Sequence, residues 1–184
     1  MATSTAPATY RARLALLNRA VARARLALSH ARVTRERRKR ARIVAVARWG
    51  VAHAPQIHYA ETRPIPLQGA GVLHPLPLTT DCSGFATICY RAAAAPDPNG
   101  EGYNGSGNTA TLLAHGMRVE HPAPGDVVIY GPLPNGHHAA IVVRGGADPL
   151  TVSHGSENGP LLITVSDERK YQPPGVTYRR FPVV

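Results

Sequence analysis

From Tyr10 to Arg42 the chain carries neither glycine nor proline, whereas the rest of its 184 residues are broken by them every few positions. Alanine, leucine and arginine dominate this uninterrupted stretch, and all three favour helix, so a long helix is the natural outcome. Leu14, Leu17, Val21, Ala24 and Leu28 follow the three-four spacing that lines one face of a helix, although Arg25 and Arg32 fall beside that stripe. Such a segment reads as a solvated helix docked by its leucine stripe. The sharper alternatives are an arm for nucleic acid, for an anionic surface or for a protein partner such as a virion component.

Charge divides the chain at the same place. Twelve of the 21 Lys and Arg residues lie before residue 43, against Glu36 alone, a net of +11; the other 142 residues hold nine basic and ten acidic groups, a net of −1. The formal +10 of the whole chain therefore belongs to an arm, residues 1–42, attached to a near-neutral domain, residues 43–184. No run of 18 apolar residues exists to span a membrane, and the N-terminus lacks the apolar core of a secretory signal. Cys82 and Cys89 are expected as free thiols, because seven residues along one helix would hold them about 10 Å apart.

Within the domain, Ile43, Val44, Ala47 and Val51 suggest a second helix stopping near Gly50 and Pro55, followed by an irregular proline-rich stretch from Pro64 to Pro77. Asp81 is placed to cap a third helix whose buried face is Phe85, Ile88, Cys89 and Ala92, and Thr109 to His115 suggests a short fourth. Five β-rich runs then follow, near Val127–Tyr130, Ala139–Val143, Leu150–Ser153, Leu161–Val165 and Val176–Tyr178. Helices first and strands second give an α+β fold, N-terminal helices packed on an antiparallel β-sheet and preceded by the basic helical arm.

Cys82 falls in the first turn of the Asp81-capped helix, where unpaired N–H groups and the helix dipole favour a thiolate, while Cys89, between Ile88 and Tyr90, suits a buried core position. A sulfur nucleophile needs a histidine base. If the Ala139–Val143 and Leu150–Ser153 strands form a hairpin centred near Gly146, His138 and His154 face each other with Cβ atoms roughly 5 Å apart, one as base and one as orienter. His137 competes with His138, since adjacent strand residues point to opposite faces. His30, His53, His58, His74, His115 and His121 read as surface or loop residues. No close Cys or His spacing supports a zinc site, so neither metal nor cofactor is expected.

In order and type, Asp81-Cys82-Ser83-Gly84-Phe85, Pro124-Gly125-Asp126-Val127-Val128-Ile129-Tyr130, His138-Ala139-Ala140-Ile141-Val142 and His154 resemble the NlpC-type cell-wall cysteine peptidases, which are papain-like enzymes. The resemblance covers roughly residues 43 to 180. It implies Cys82 as nucleophile, His138 as base, His154 as third polar residue, and a structural part for the Gly125-Asp126 turn. Tyr59 would be the tyrosine these enzymes carry near the active site, here without the usual Trp-Gly-Gly after it. Asp81 and Ser83 would help to hold the amine or carboxylate of a substrate; helix capping explains them equally well.

The implied activity is hydrolysis of a peptidoglycan stem-peptide amide, a D-γ-glutamyl to meso-diaminopimelate bond by the family's habit. The same residues would serve an amidase that separates sugar from peptide. A chain without a signal sequence and rich in Ala, Arg and Pro would suit a phage lysin or virion-associated wall hydrolase, acting at the bacterial wall after release from the host cytoplasm or delivery in the virion. The contrasting reading is a binding or structural protein whose basic helix is the functional part and whose papain-like domain is a scaffold.

Overall fold

The computed structural model describes residues 8–156 and 158–183. The first seven residues of the arm, on which the reading of the N-terminus as signal-free rests, lie outside the described residues. The chain forms two compact units, residues 1–37 and 38–184.

A single helix, α1 (Ala8–Ala52), replaces the two expected helices. Nothing in the sequence interrupts it before Gly50, and the Arg-rich junction around Arg42 is as good a helix former as the residues on either side. In the first unit the stripe residues Leu14, Leu17, Val21 and Leu28 are 47%, 62%, 46% and 71% exposed. In the second unit the last turns of α1 bury Ile43, Val46 and Ala47, at the spacing that brings side chains onto one face.

A turn of 3-10 helix at Ala54–Gln56 leads into β1 (Ile57–Tyr59), which pairs in parallel with β2 (Leu78–Thr80). Between these strands the Pro64–Pro77 stretch forms no helix or strand. Asp81 caps α2 (Cys82–Ala92), its Oδ1 accepting the Gly84 N–H at 2.6 Å. Ten of the eleven residues of α2 are buried. Gly84 lets that first turn close onto β2, since a Cβ there would overlap the Thr80 hydroxyl. A capping box at Asn108 starts α3 (Thr109–Ala114).

The remaining elements build one antiparallel sheet. β3 (Met117–Val119), β4 (Val127–Tyr130), β5 (His138–Arg144), β6 (Leu150–Ser153), β7 (Leu161–Thr164) and β8 (Val176–Arg180) lie in the order β3-β8-β4-β5-β6-β7, with the short helix α4 (Val165–Glu168) after β7. β4 to β7 form the expected meander, and β8 returns to the far side of β4. One face of the sheet contributes Val127, Ile129, Ala139, Ile141, Val143 and Val152 to the main core with Phe85, Ile88 and Ile43. The other face holds Val128, Tyr130 and Ala140 against Val165 of α4. Each fully buried aliphatic or aromatic side chain contributes about 1.5–3 kcal/mol relative to exposure, so the larger cluster dominates and fixes α2 against β5.

Asp126 ties these parts together. It is fully buried, pairs with Arg40 of α1 at 2.8 Å and Arg180 of β8 at 2.7 Å, and accepts the Ala123 N–H at 2.8 Å. Removing the carboxylate should cost about 3–5 kcal/mol, because a buried ion pair that loses one partner is far worse than none. Chemical denaturation of Asp126→Ala against the wild type measures this, and a loss below about 1 kcal/mol would contradict the clamp.

Candidate active site

The capped start of α2 puts Cys82 at the floor of a cavity of about 430 Å³, whose walls include Tyr59, Arg63, Thr109 and His137. The thiol is 5% exposed. Burial pushes its pKa up to about 11; hydrogen bonds from the Ala139 N–H, the Thr109 hydroxyl and the Ser83 N–H oppose that rise, and the Asp81 charge adds to it. The helix start therefore does not yield a resting thiolate, as its dipole alone would suggest, because desolvation outweighs the dipole. At neutral pH the group is a thiol that must lose its proton to a base. Cys89 is wholly buried in the core, and burial raises its thiol further.

Which histidine faces Cys82 is set by the register of β5. Ala140 pairs with Ser153, Ile141 with Val152 and Val142 with Thr151, and an irregularity between Val142 and Arg144 brings Arg144 opposite Leu150. Beyond that irregularity the hairpin pairs one position away from the symmetric register centred on Gly146, and one position exchanges the two faces. His154 consequently lies beside Ala139, not opposite His138. His154 lies on the face turned to α2, against Phe85, and His137, in the bend before β5, lines the Cys82 cavity.

His138 instead points to the far face. Its Nε2 lies 2.7 Å from Ser153 Oγ and 3.4 Å from Glu168 Oε1, and its ring stacks near Tyr130 at 5.9 Å. Glu168 accepts a further bond from Gln172 at 2.8 Å. Burial, with His137 and His154 nearby, pushes His138 down to about 4 against the pull of Asp81, so its ring is neutral and a weak base at pH 7. Cys82 and His137 thus line one cavity, His154 stands against Tyr59 of its wall, and His138 lines the neighbouring cavity.

His154 is buried, and its Nε2 donates to the Thr80 carbonyl at 3.0 Å. A carbonyl only accepts, so Nε2 carries a proton. The ring is wedged between Tyr59 and Phe85, each at 5.6 Å between centroids. Tyr59 lines the thiol cavity and donates to Glu61 at 3.3 Å; burial above all, with the charges of Glu61 and Asp81, holds its phenol above the ordinary range. A neighbouring cavity of about 590 Å³, lined by His138 and Glu168, shares Tyr59, Glu61 and His137 with the first.

Asp81 and Ser83 are mostly occupied internally. Asp81 Oδ1 accepts from Gly84 and, at 3.0 Å, from Ser83 Oγ, while Oδ2 pairs with Arg63 at 2.9 Å. Arg63, Glu61 and Thr109 are site residues that sequence reasoning did not find. Arg63 and Glu61 belong to a segment without periodicity, and Thr109 reaches the thiol only because the Asn108 cap aims α3 at it. Among the described residues no group of three or more His, Cys, Asp or Glu side chains is placed to hold a metal.

The raised thiol has a direct consequence. Alkylation of Cys82 by iodoacetamide should accelerate about tenfold per pH unit from pH 7 to pH 10, because the reactive thiolate is still the minor form below about 11. A rate that levels off below pH 8 would contradict this.

No family model matches the chain, and no curated protein does. Solved structures do. The NlpC/p60 domain of the peptidoglycan hydrolase SagA superposes over 77% of this chain and 98% of its own, with 21% identity and a TM-score of 0.50. NlpC2 and NlpC1 from Trichomonas vaginalis align over 77% and 76% of this chain and 47% and 44% of theirs, at 17% and 18% identity and TM-scores of 0.48 and 0.46. The domain that carries Cys82 has the NlpC/p60 fold.

Proposed function

We propose that this chain is a cell-wall thiol peptidase that hydrolyses an amide bond of a peptidoglycan stem peptide, with Cys82 as nucleophile, His137 as base and His154 as the residue that orients His137. The observation that carries this reading is the convergence of Cys82, at the capped start of α2, and His137, from the edge of β5, on one cavity. The fold supports it, because SagA, whose domain shares it, is a peptidoglycan hydrolase.

The reaction runs through a thioester. His137 takes the Sγ proton as sulfur attacks the carbonyl carbon, which the protonated resting thiol requires. The oxyanion is met by backbone N–H groups at the start of α2, that of Cys82 included. The C–N bond breaks as His137 returns the proton to the leaving amine. Water, deprotonated by His137, then attacks the thioester carbon and releases the carboxylate and the thiol. A D-γ-glutamyl to diaminopimelate bond is the preferred substrate, and the muramoyl-alanine amide of an amidase reaction is the alternative. A phage lysin or virion-associated hydrolase is the biological setting we favour.

Residues 1–42 supply attachment in this reading. Arg13, Arg19, Arg23, Arg25, Arg32, Arg35 and Arg37 are exposed along α1, interleaved with exposed Leu and Val, so the arm offers positive charge to an anionic wall polymer, nucleic acid or virion surface. A purely binding role, with residues 43–184 as scaffold, is the competing account.

One experiment separates them. Wild type should release peptide fragments from purified cell walls, Cys82→Ala should release at least about 10³-fold less while still sedimenting with the walls, and mass spectrometry of the fragments identifies the bond. Replacing the arm arginines by glutamine should weaken sedimentation while soluble fragments are cut at the wild-type rate. Equal release by wild type and Cys82→Ala would leave only the binding account.

A further inference from the structure

We infer that the leucine stripe of the arm is a coiled-coil seam that pairs with an acidic amphipathic helix of a second protein. Residues 10–37 carry this surface by themselves, whatever bond the Cys82 domain acts on.

Eight of the thirteen large apolar side chains that stand exposed among the described residues lie between Tyr10 and Val33. Such a concentration on one short segment marks an interaction surface. Its spacing has the form of a coiled coil. Leu14, Val21 and Leu28 recur every seven residues, and Leu17, Ala24 and Ala31 do so three places later, which makes them the a and d positions of three heptads. Arg35 occupies the next a position and ends the stripe. Alanine at two of the three d positions leaves room there for larger side chains of a partner. The flanking e and g positions hold Arg13, Asn18, Ala20, Arg25, Ala27 and Arg32, with no acid among them.

Charge and geometry select the partner. Between Tyr10 and Arg37 the helix carries eight arginines against Glu36 alone, a net of +7, so a second copy of the arm brings only more of the same charge. A helix with Glu or Asp at its own e and g positions instead meets Arg13, Arg25 and Arg32 across the seam. A lipid surface covers one side of a helix. Leu16, Leu26 and Val33 are 63%, 57% and 47% exposed. At roughly 100° per residue they lie about 100–200° round the helix from Leu14, so a bilayer that took up the stripe would leave them in water. A nucleic acid would engage the arginines and leave the leucines between them in water as well. Helices of a protein partner can pack on both sides, and the a/d stripe is where heptad pairing seats the first.

The test uses a synthetic four-heptad peptide with leucine at a and d and glutamate at e and g, beside a peptide of the same composition in scrambled order. In calorimetry the full-length protein should bind the heptad peptide at least tenfold more tightly than the scrambled one. Leu14→Ala, Leu17→Ala and Leu28→Ala together keep the helix and its charge but should remove that preference. Arg13→Gln, Arg25→Gln and Arg32→Gln together should weaken the heptad peptide about tenfold and flatten its salt dependence. Binding of the two peptides within about threefold of each other would overturn the inference and leave a contact of charge alone. Tighter binding of phosphatidylglycerol vesicles or of a short DNA duplex than of the heptad peptide would overturn it too. So would a dimer of the unliganded protein, seen in sedimentation and lost in the triple-alanine protein, which would make a second copy the occupant. A melting temperature that falls by more than a few degrees in the unliganded triple-alanine protein would overturn it by showing the stripe covered by the rest of the chain.

Discussion

The arrangement of the site depends on a single constraint, the two-residue period of β5 held between β4 and β6. Both neighbours are paired along most of its length, so the strand cannot rotate, and each residue is committed to one face. Ala139, Ile141 and Val143 are drawn into the main core against α2. That commitment carries His137 to the thiol and His138 away from it. A buried cluster of aliphatic residues thus decides which histidine lines the thiol cavity.

Capping and electrostatics at the start of α2 are coupled in a similar way. The carboxylate that satisfies the Gly84 N–H also anchors Arg63, so the group that starts the helix places the cation beside the nucleophile. Burial of Cys82 suppresses its thiolate, so the peptidase reaction we propose needs a histidine to take the proton. Asp126 performs the corresponding mechanical task at the other end of the core, where it joins α1, β4 and β8.

Much of this was legible in the residues. Asp81 followed by Cys82 and the Phe85, Ile88, Cys89, Ala92 spacing marked α2, and the β-rich runs marked β4 to β8, because cap chemistry and periodicity are local signals. Cys82 was singled out on those grounds and lines a cavity whose wall includes Tyr59, against which His154 packs. Which of His137 and His138 lines the Cys82 cavity was not legible, since β5 is buried on both faces and its residues show no alternation. The three-residue strands β1, β2 and β3 were too short to show alternation. Arg63 escaped because its segment is irregular, and its position depends on a distant carboxylate. The continuous α1 was missed for a different reason, an assumed break at a charge boundary where backbone propensity does not change.

The most direct measurement is the turnover of a soluble stem-peptide fragment by His137→Ala and by His138→Gln, each confirmed as folded by its melting curve and by Cys82 alkylation. If His137 is the base, its removal lowers kcat by about 10²–10⁴, and His138→Gln stays within about threefold of wild type. Loss of that size in His138→Gln with activity retained in His137→Ala would contradict the account, because it would require the far face of β5 to serve the thiol.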